Sequence, residues 1–368
     1  MLVATGALAA NWSAGAADVQ PQAGTVDEAT KATFQDLAEA ILTDRTSALV
    51  DQKQGKQRTS RFHGDVRLSS KQARQESSDL SALRGRKSRL AKLGEEYKDA
   101  DTQVSVDKAR VKGDRAMVEV TETTTLTYKK VRGNEPKTTG FQAHHELTFK
   151  SDSHGDWQLS GIRSTDQGYA AVNQPDTEAV ATTADDEGTP EATRSAITTN
   201  PAAKAKNFTA SGLDYKAMAT YAEKYWSNYN SAYRNFNSVG GDCTNFVSQS
   251  LKAGGWANVS GSASDYKKWW YDASSTQSDS WVGVNEFSWF ALSSKRATSL
   301  ANVYQMDVGD VLQMDFDKDG SKDHTMITTY RSSSGVPYLT YHATNTYRRS
   351  VASIIASYPN SYYYAYRT

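Results

Sequence analysis

The chain has 368 residues, one cysteine and six histidines, and these are the side chains from which nucleophilic chemistry could be built. A lone cysteine makes no intramolecular disulfide. It is either a small buried hydrophobe or a reactive thiol, and its surroundings decide. Cys243 follows Gly240-Gly241-Asp242 and precedes Thr244-Asn245-Phe246-Val247-Ser248-Gln249. The glycine pair permits a tight backbone turn, and Asp242 is a favoured N-cap residue. Phe246, Val247 and Leu251 share one helical face, and Gly254-Gly255 ends the helix. Cys243 is therefore expected in the first turn of a helix. There, unpaired N–H groups and the helix dipole favour a thiolate and can also hold an oxyanion.

A thiol nucleophile needs a base. His324 follows an acidic turn over residues 315–323 and opens the apolar stretch Met326-Ile327-Thr328-Thr329, which places it at the start of a strand. The next strand, over residues 338–343, carries His342, with Asn345 just beyond. A cysteine on a helix, a histidine on a strand and a polar residue on the neighbouring strand follow the order nucleophile, base, orienting residue. His63, His144, His145 and His154 have no partners at useful spacing and read as surface or sheet residues. In the acidic turn, Asp315, Asp317, Asp319 and Asp323, with Gly320 at the sixth position, have the spacing of a calcium loop. Met326 stands where an EF-hand would carry Glu, and a hydrophilic hairpin shaped by Asp and Gly fits the same residues.

The stretches Tyr225-Trp226, Tyr233-Arg234-Asn235-Phe236, the run from Gly240 to Gln249, Ala253-Gly254-Gly255-Trp256, Gly309-Asp310-Val311-Leu312, Asp323-His324-Thr325 and Tyr341-His342-Ala343-Thr344-Asn345 together resemble a bacterial amidase-domain family. That family is papain-like and related to NlpC-like cell-wall peptidases, and the resemblance covers residues 214–368. It implies a helix-borne cysteine packed on an antiparallel sheet, with Cys243 as nucleophile and His324 as base. By the same resemblance His342 orients the base, with Asn345 as the other candidate, and Asn237 lies at the offset of an oxyanion-hole amide. It implies a cysteine amidase that cleaves a peptide or peptidoglycan stem-peptide amide through an acyl-thioester, with no cofactor needed for catalysis. A non-catalytic peptide- or wall-binding protein on the same scaffold, and an acyltransferase using the same residues, are the alternatives.

These residues need elements to position them, and the expected class is α+β. Residues 1–25 open with a small apolar run and read as the remains of a secretory signal or a flexible tail, so a secreted or wall-associated bacterial protein is expected. Residues 26–169 begin with a helix whose Phe34, Leu37, Ile41 and Ala48 share a face. A polar stretch over residues 53–89 follows. The period then changes to two, at Ala116, Val118, Val120, Thr124, Leu126 and Tyr128, and again at Phe141, Ala143, His145, Leu147 and Phe149. Helix followed by an antiparallel meander resembles SnoaL-like domains, and an accessory module is expected. Residues 170–205 hold three of the seven prolines and read as a flexible linker. Residues 206–368 hold six of the eight tryptophans and seventeen of the twenty tyrosines. Trp269-Trp270-Tyr271, Trp281 and Trp289 suit either a substrate groove or a core, and Tyr362 to Tyr366 suits a final strand covered on both faces. With 42 basic and 42 acidic residues, the chain has no basic surplus for general nucleic-acid or membrane-surface binding. No apolar run is long enough to cross a bilayer.

Overall fold

The computed structural model describes residues 26–51, 67–166, 170–175, 188–198, 206–209, 211–272, 274 and 276–368. The signal-like start at residues 1–25 lies outside them. Two helices, α1 (Glu28–Ser47) and α2 (Ser70–Lys92), precede four strands, β1 (Tyr97–Lys112), β2 (Arg115–Tyr128), β3 (Thr138–Ser151) and β4 (Trp157–Ser164). The second half carries α3 (Tyr215–Tyr225), α4 (Cys243–Ala253), α5 (Asp279–Val282), α6 (Val284–Ser293) and the short strand β5 (Thr298–Leu300). It continues with β6 (Val311–Asp315), β7 (His324–Arg331), β8 (Pro337–Tyr341), β9 (Asn345–Ser350), α7 (Val351–Ser357) and β10 (Tyr362–Arg367). The result is a mixed α and β fold. Among the described residues no helix is long and apolar enough to cross a membrane.

Period-two alternation is what makes β2 and β3 strands. Ala116, Val118, Val120, Leu126 and Tyr128 are buried, as are Phe141, Ala143, Leu147 and Phe149, while their neighbours are more exposed. Helix α1 begins where the Asp27 carboxylate accepts from Thr30 N at 2.8 Å and lays Phe34, Leu37 and Ile41 on this sheet. Helix α2 falls largely in the polar stretch, for which no element was assigned. Its inner face is mostly polar: Gln72, Glu76, Asp79 and Arg86 are buried beside Leu83 and Leu90. The Arg45 guanidinium of α1 accounts for part of this, reaching Glu76 at 2.6 Å and Asp79 at 2.9 Å. Buried charges survive only when paired in this way.

The two halves share one ten-stranded sheet, in the order β1-β2-β3-β9-β8-β7-β6-β10-β5, with β4 also paired to β3. The join is antiparallel pairing of Gly140, Phe141 and Gln142 on β3 with Tyr347, Thr346 and Asn345 on β9. One apolar cluster draws on both halves, with Leu83, Leu90, Tyr97, Tyr128 and Phe141 against Tyr338 and Ala356. This differs from the expectation of two bodies on a flexible linker. Described parts of that linker are held in place. Arg86 Nη1 donates to the carbonyls of Val172 at 2.7 Å and Gln174 at 2.6 Å. Further on, Ser195 N donates to Tyr363 O at 2.7 Å, and Ala196 bridges Asn302 beside the β5 edge.

In the second half the sheet is covered on both faces. Val311, Ile327, Tyr364 and Tyr366 turn toward Phe246, Val247 and Leu251 of α4. Leu312, Met314, Met326, Leu339, Tyr341, Tyr363 and Ala365 turn toward Val351, Ile354 and Ile355 on α7. Trp269 and Trp281 are fully buried on the α4 side, rings 4.5 Å apart, and so belong to the core rather than a groove.

Candidate active site

Cys243 is the first residue of α4, as the sequence predicts. Gly240 and Gly241 precede it with φ of 113° and 104°, a region open to glycine but strained for other residues. Asp242 occupies the N-cap position, yet its carboxylate makes no capping bond to α4. It accepts from Phe236 N at 2.9 Å and from Asn245 Nδ2 at 2.9 Å, and meets His342 Nδ1 at 2.6 Å. The Cys243 sulfur takes a hydrogen bond from the backbone N–H of Thr325 and lies 3.8 Å from Thr244 Oγ1. The residue is only 6% exposed. Burial raises its thiol above the usual range, against the lowering effect of these hydrogen bonds.

His342 stands on the α4 side of the sheet. Its ring lies between Phe246, with centroids 4.0 Å apart, and Tyr229, at 4.1 Å. Its Nε2 donates to the Tyr225 carbonyl at 2.8 Å, so both ring nitrogens are engaged. The β8–β9 connection that carries it holds Ala343 at φ 60° and Thr344 at φ 64°. Non-glycine residues there cost about 1–2 kcal/mol each, and such strain gathers where a side chain must be aimed. Helix α3 ends at Tyr225, short of Tyr229. The chain then turns back, laying the Tyr229 ring on the imidazole while its hydroxyl donates to Asn345 Oδ1 at 2.8 Å. Asn237 Nδ2 donates to the same hydroxyl at 2.8 Å. Asn345 also approaches Gln142 of β3, at 3.4 Å. Asn237 and Asn345 thus form a network over His342.

His324 is placed differently from the spacing-based expectation. Side chains alternate along a strand, and on β7 Thr325 and Ile327 turn toward α4, Thr325 Oγ1 meeting Thr244 Oγ1 at 2.8 Å. His324 and Met326 therefore turn the other way. The His324 ring meets Tyr341 edge-on at 5.2 Å and Phe316 at 6.4 Å. Burial, and secondarily the Arg349 charge, depress its pKa to about 3. The imidazole expected to pair with the Cys243 thiolate is a neutral ring on the far face, and it is His342 that shares the face of Cys243. Asp242, read from sequence only as a helix cap, is its partner. The signal available was that this carboxylate directly precedes the cysteine.

In the acidic turn, Asp315, Asp317 and Asp323 bring one carboxylate oxygen each within 4.8 Å of one another. Asp319 is outside that group and caps Ser321 N at 2.7 Å. The turn is also stapled from within, Asp315 accepting from Lys318 N at 2.6 Å and Gly320 N at 3.1 Å. Burial raises the Asp323 pKa to about 6. In the N-terminal half, His145 is buried against Glu122 at 2.9 Å and His144 meets Asp166 at 2.8 Å, partners that sequence spacing did not reveal.

Two curated proteins of Bacillus subtilis (strain 168) are similar to this chain. "Uncharacterized protein YhbB" is 35% identical over 127 residues, 34% of this chain and 39% of its own length. "Uncharacterized protein YjcM" is 33% identical over 141 residues, 36% of this chain and 31% of its own. The chain thus spans well under half of either relative. The crystal structure of the intermembrane space region of chloroplast protein ARC6 aligns with 38% of this chain and 98% of its own, at 17% identity and a TM-score of 0.24, too distant to bear on the fold. Residues 212–366 match the family described as "Putative amidase domain", which makes the C-terminal part of the chain, Cys243 and His342 included, amidase-like.

Proposed function

We propose that residues 206–368 form a cysteine amidase with Cys243 as nucleophile. The observation that carries this reading is the helix-borne thiol beside the buried Asp242–His342 pair, inside the stretch that matches the amidase family. The Cys243 sulfur attacks the amide carbon, and the thiol proton passes to a histidine. That histidine returns a proton to the departing amine, leaving an acyl-thioester that water cleaves. The amides of the first turn of α4 suit the oxyanion. His342 replaces His324 as the favoured base because it lies on the face of Cys243, and Asp242 takes the orienting role that the sequence assigned to His342 or Asn345. As found, Nε2 donates to Tyr225 O while Nδ1 faces the Asp242 carboxylate, so Nε2 must leave Tyr225 O and give up its hydrogen to solvent before the ring can take the thiol proton.

A peptide or peptidoglycan stem-peptide amide is the proposed substrate class, with the chain exported to reach it. The family resemblance supports both, and water rather than an amine is the acceptor in this reading. A papain-like arrangement for the C-terminal half and a SnoaL-like one for the N-terminal half belong to the same proposal, as does a structural calcium ion on Asp315, Asp317 and Asp323. The test is product release from muropeptides followed by mass spectrometry, in wild type, Cys243→Ala, His342→Ala and His324→Ala. Turnover surviving in Cys243→Ala sinks the thiol mechanism. Turnover lost in His324→Ala but kept in His342→Ala returns the base to His324. The buried thiol favours one rival, a binding protein on this scaffold, and that reading stands if muropeptides bind but are never cleaved.

A further inference from the structure

The N-terminal half holds a second site candidate, independent of the amidase reading. A cavity of about 860 Å³ opens between the end of α1, α2 and the start of β1, lined by Ser47, Ala48, Val50, Asp51, Arg84, Lys87, Lys98 and Lys129. Among the described residues, four cations from three separate stretches of chain thus line one concavity, against a single carboxylate. Asp51 is shared by Lys87 at 2.9 Å and Lys129 at 2.5 Å. Lys129 also reaches Glu96 at 3.1 Å, and Lys87 donates to the Val50 carbonyl at 2.9 Å. Among the described residues, Arg84 and Lys98 have no ion-pair partner.

The chain as a whole has no net charge, so this concentration is local. Like charges gathered around one open concavity repel one another and raise a positive potential within it. Arg84 on α2 and Lys98 on β1, with the shared ammonium groups of Lys87 and Lys129 beside them, suit an anion with more than one charged group, because separate oxygen clusters find separate donors. The volume exceeds what a single inorganic phosphate fills. A nucleic-acid duplex would need an extended basic stripe rather than one local patch.

We propose that this cavity binds a small polyanion, a ligand carrying two or more neighbouring phosphate or carboxylate groups. The experiment is calorimetric titration of the whole chain with inorganic pyrophosphate and, separately, citrate, each at fixed ionic strength. The variants are Arg84→Glu and Lys98→Glu, with Lys112→Glu, exposed at the far end of β1, as the charge-matched control. Saturable one-to-one binding of either probe, weakened at least tenfold in both cavity variants and unchanged in the control, is the expected result. Preference for pyrophosphate or for citrate assigns the anion chemistry. The proposal falls if neither probe binds, if Lys112→Glu loses as much as the cavity variants, or if Arg84→Glu and Lys98→Glu bind like wild type.

Discussion

His324 offers a test in which the sign of an effect decides between two arrangements of the site. Buried on the far face of β7, its pKa lies at about 3 against 6.5 for the unperturbed side chain. The folded protein therefore holds it neutral across the mildly acidic range, while the unfolded chain binds a proton there. Stability follows the excess of protons bound by the unfolded state, so this residue destabilises the fold as pH falls through 6.5 toward 3. Between pH 7 and pH 5 the expected loss is about 2 kcal/mol. Asp323 works in the opposite direction. Its carboxyl is raised to about 6, so the folded state takes up its proton first and gains stability over the same interval. Asp315, also raised by burial, adds to that opposing effect.

A variant isolates the histidine from the carboxylates. His324→Gln has some packing cost, but that cost is independent of pH, and the aspartates are common to both proteins. Urea unfolding at pH 7 and pH 5, followed by the fluorescence of buried Trp269 and Trp281, gives the stability lost on acidification. Wild type should lose about 2 kcal/mol more than His324→Gln. If His324 were instead the imidazolium of a thiolate pair with Cys243, its folded pKa would lie above 6.5. Its contribution would then be full at low pH and fade as pH rises. The variant would lose more than wild type on acidification, and that result would refute the far-face placement.

Other perturbations read other parts of the site. Asp242→Asn exchanges the carboxylate facing His342 Nδ1 for an amide and removes a charge-assisted bond worth about 1.5–3 kcal/mol. A drop of that size in urea stability is expected, and stability equal to wild type would deny the pair any structural weight. In native protein at pH 8, iodoacetamide should alkylate Cys243 more slowly than it alkylates the urea-unfolded chain, since burial raises the thiol. Faster labelling of the native form would mean an activated thiolate. Ala343→Gly should stabilise the chain by about 1 kcal/mol by relieving a left-handed φ, and a destabilised variant would contradict the strain at that turn. Calcium should raise the melting temperature of wild type but not of Asp315→Asn/Asp323→Asn, with EGTA reversing the shift. An unchanged melting point removes the ion.

The parts of this molecule legible in sequence are those where one side of an element is buried and the other is not. Residues 116–128 and 141–149 alternate because β2 and β3 each present one apolar face. Helix α4 was bracketed by Gly240-Gly241 and Gly254-Gly255, which only a turn before and a stop after explain. Helix α2 was invisible for the opposite reason: its inner face is Gln72, Glu76, Asp79 and Arg86, so its period is written in charge pairing with Arg45 rather than in apolar residues. The face taken by His324 was hidden for a related reason. From His324 to Thr329 every residue of β7 is buried, and a strand buried on both sides does not say which parity faces which layer. A shift of one residue moves a side chain through the sheet. Met326 and Ile327 are equally apolar, and only the packing of Ile327 on α4, with Thr325 on Thr244, fixes His324 to the other face. His342 escapes this ambiguity because it follows β8 on a turn that Ala343 and Thr344 hold at positive φ. The site therefore rests on a turn conformation and a strand parity, two properties that spacing along the chain does not encode.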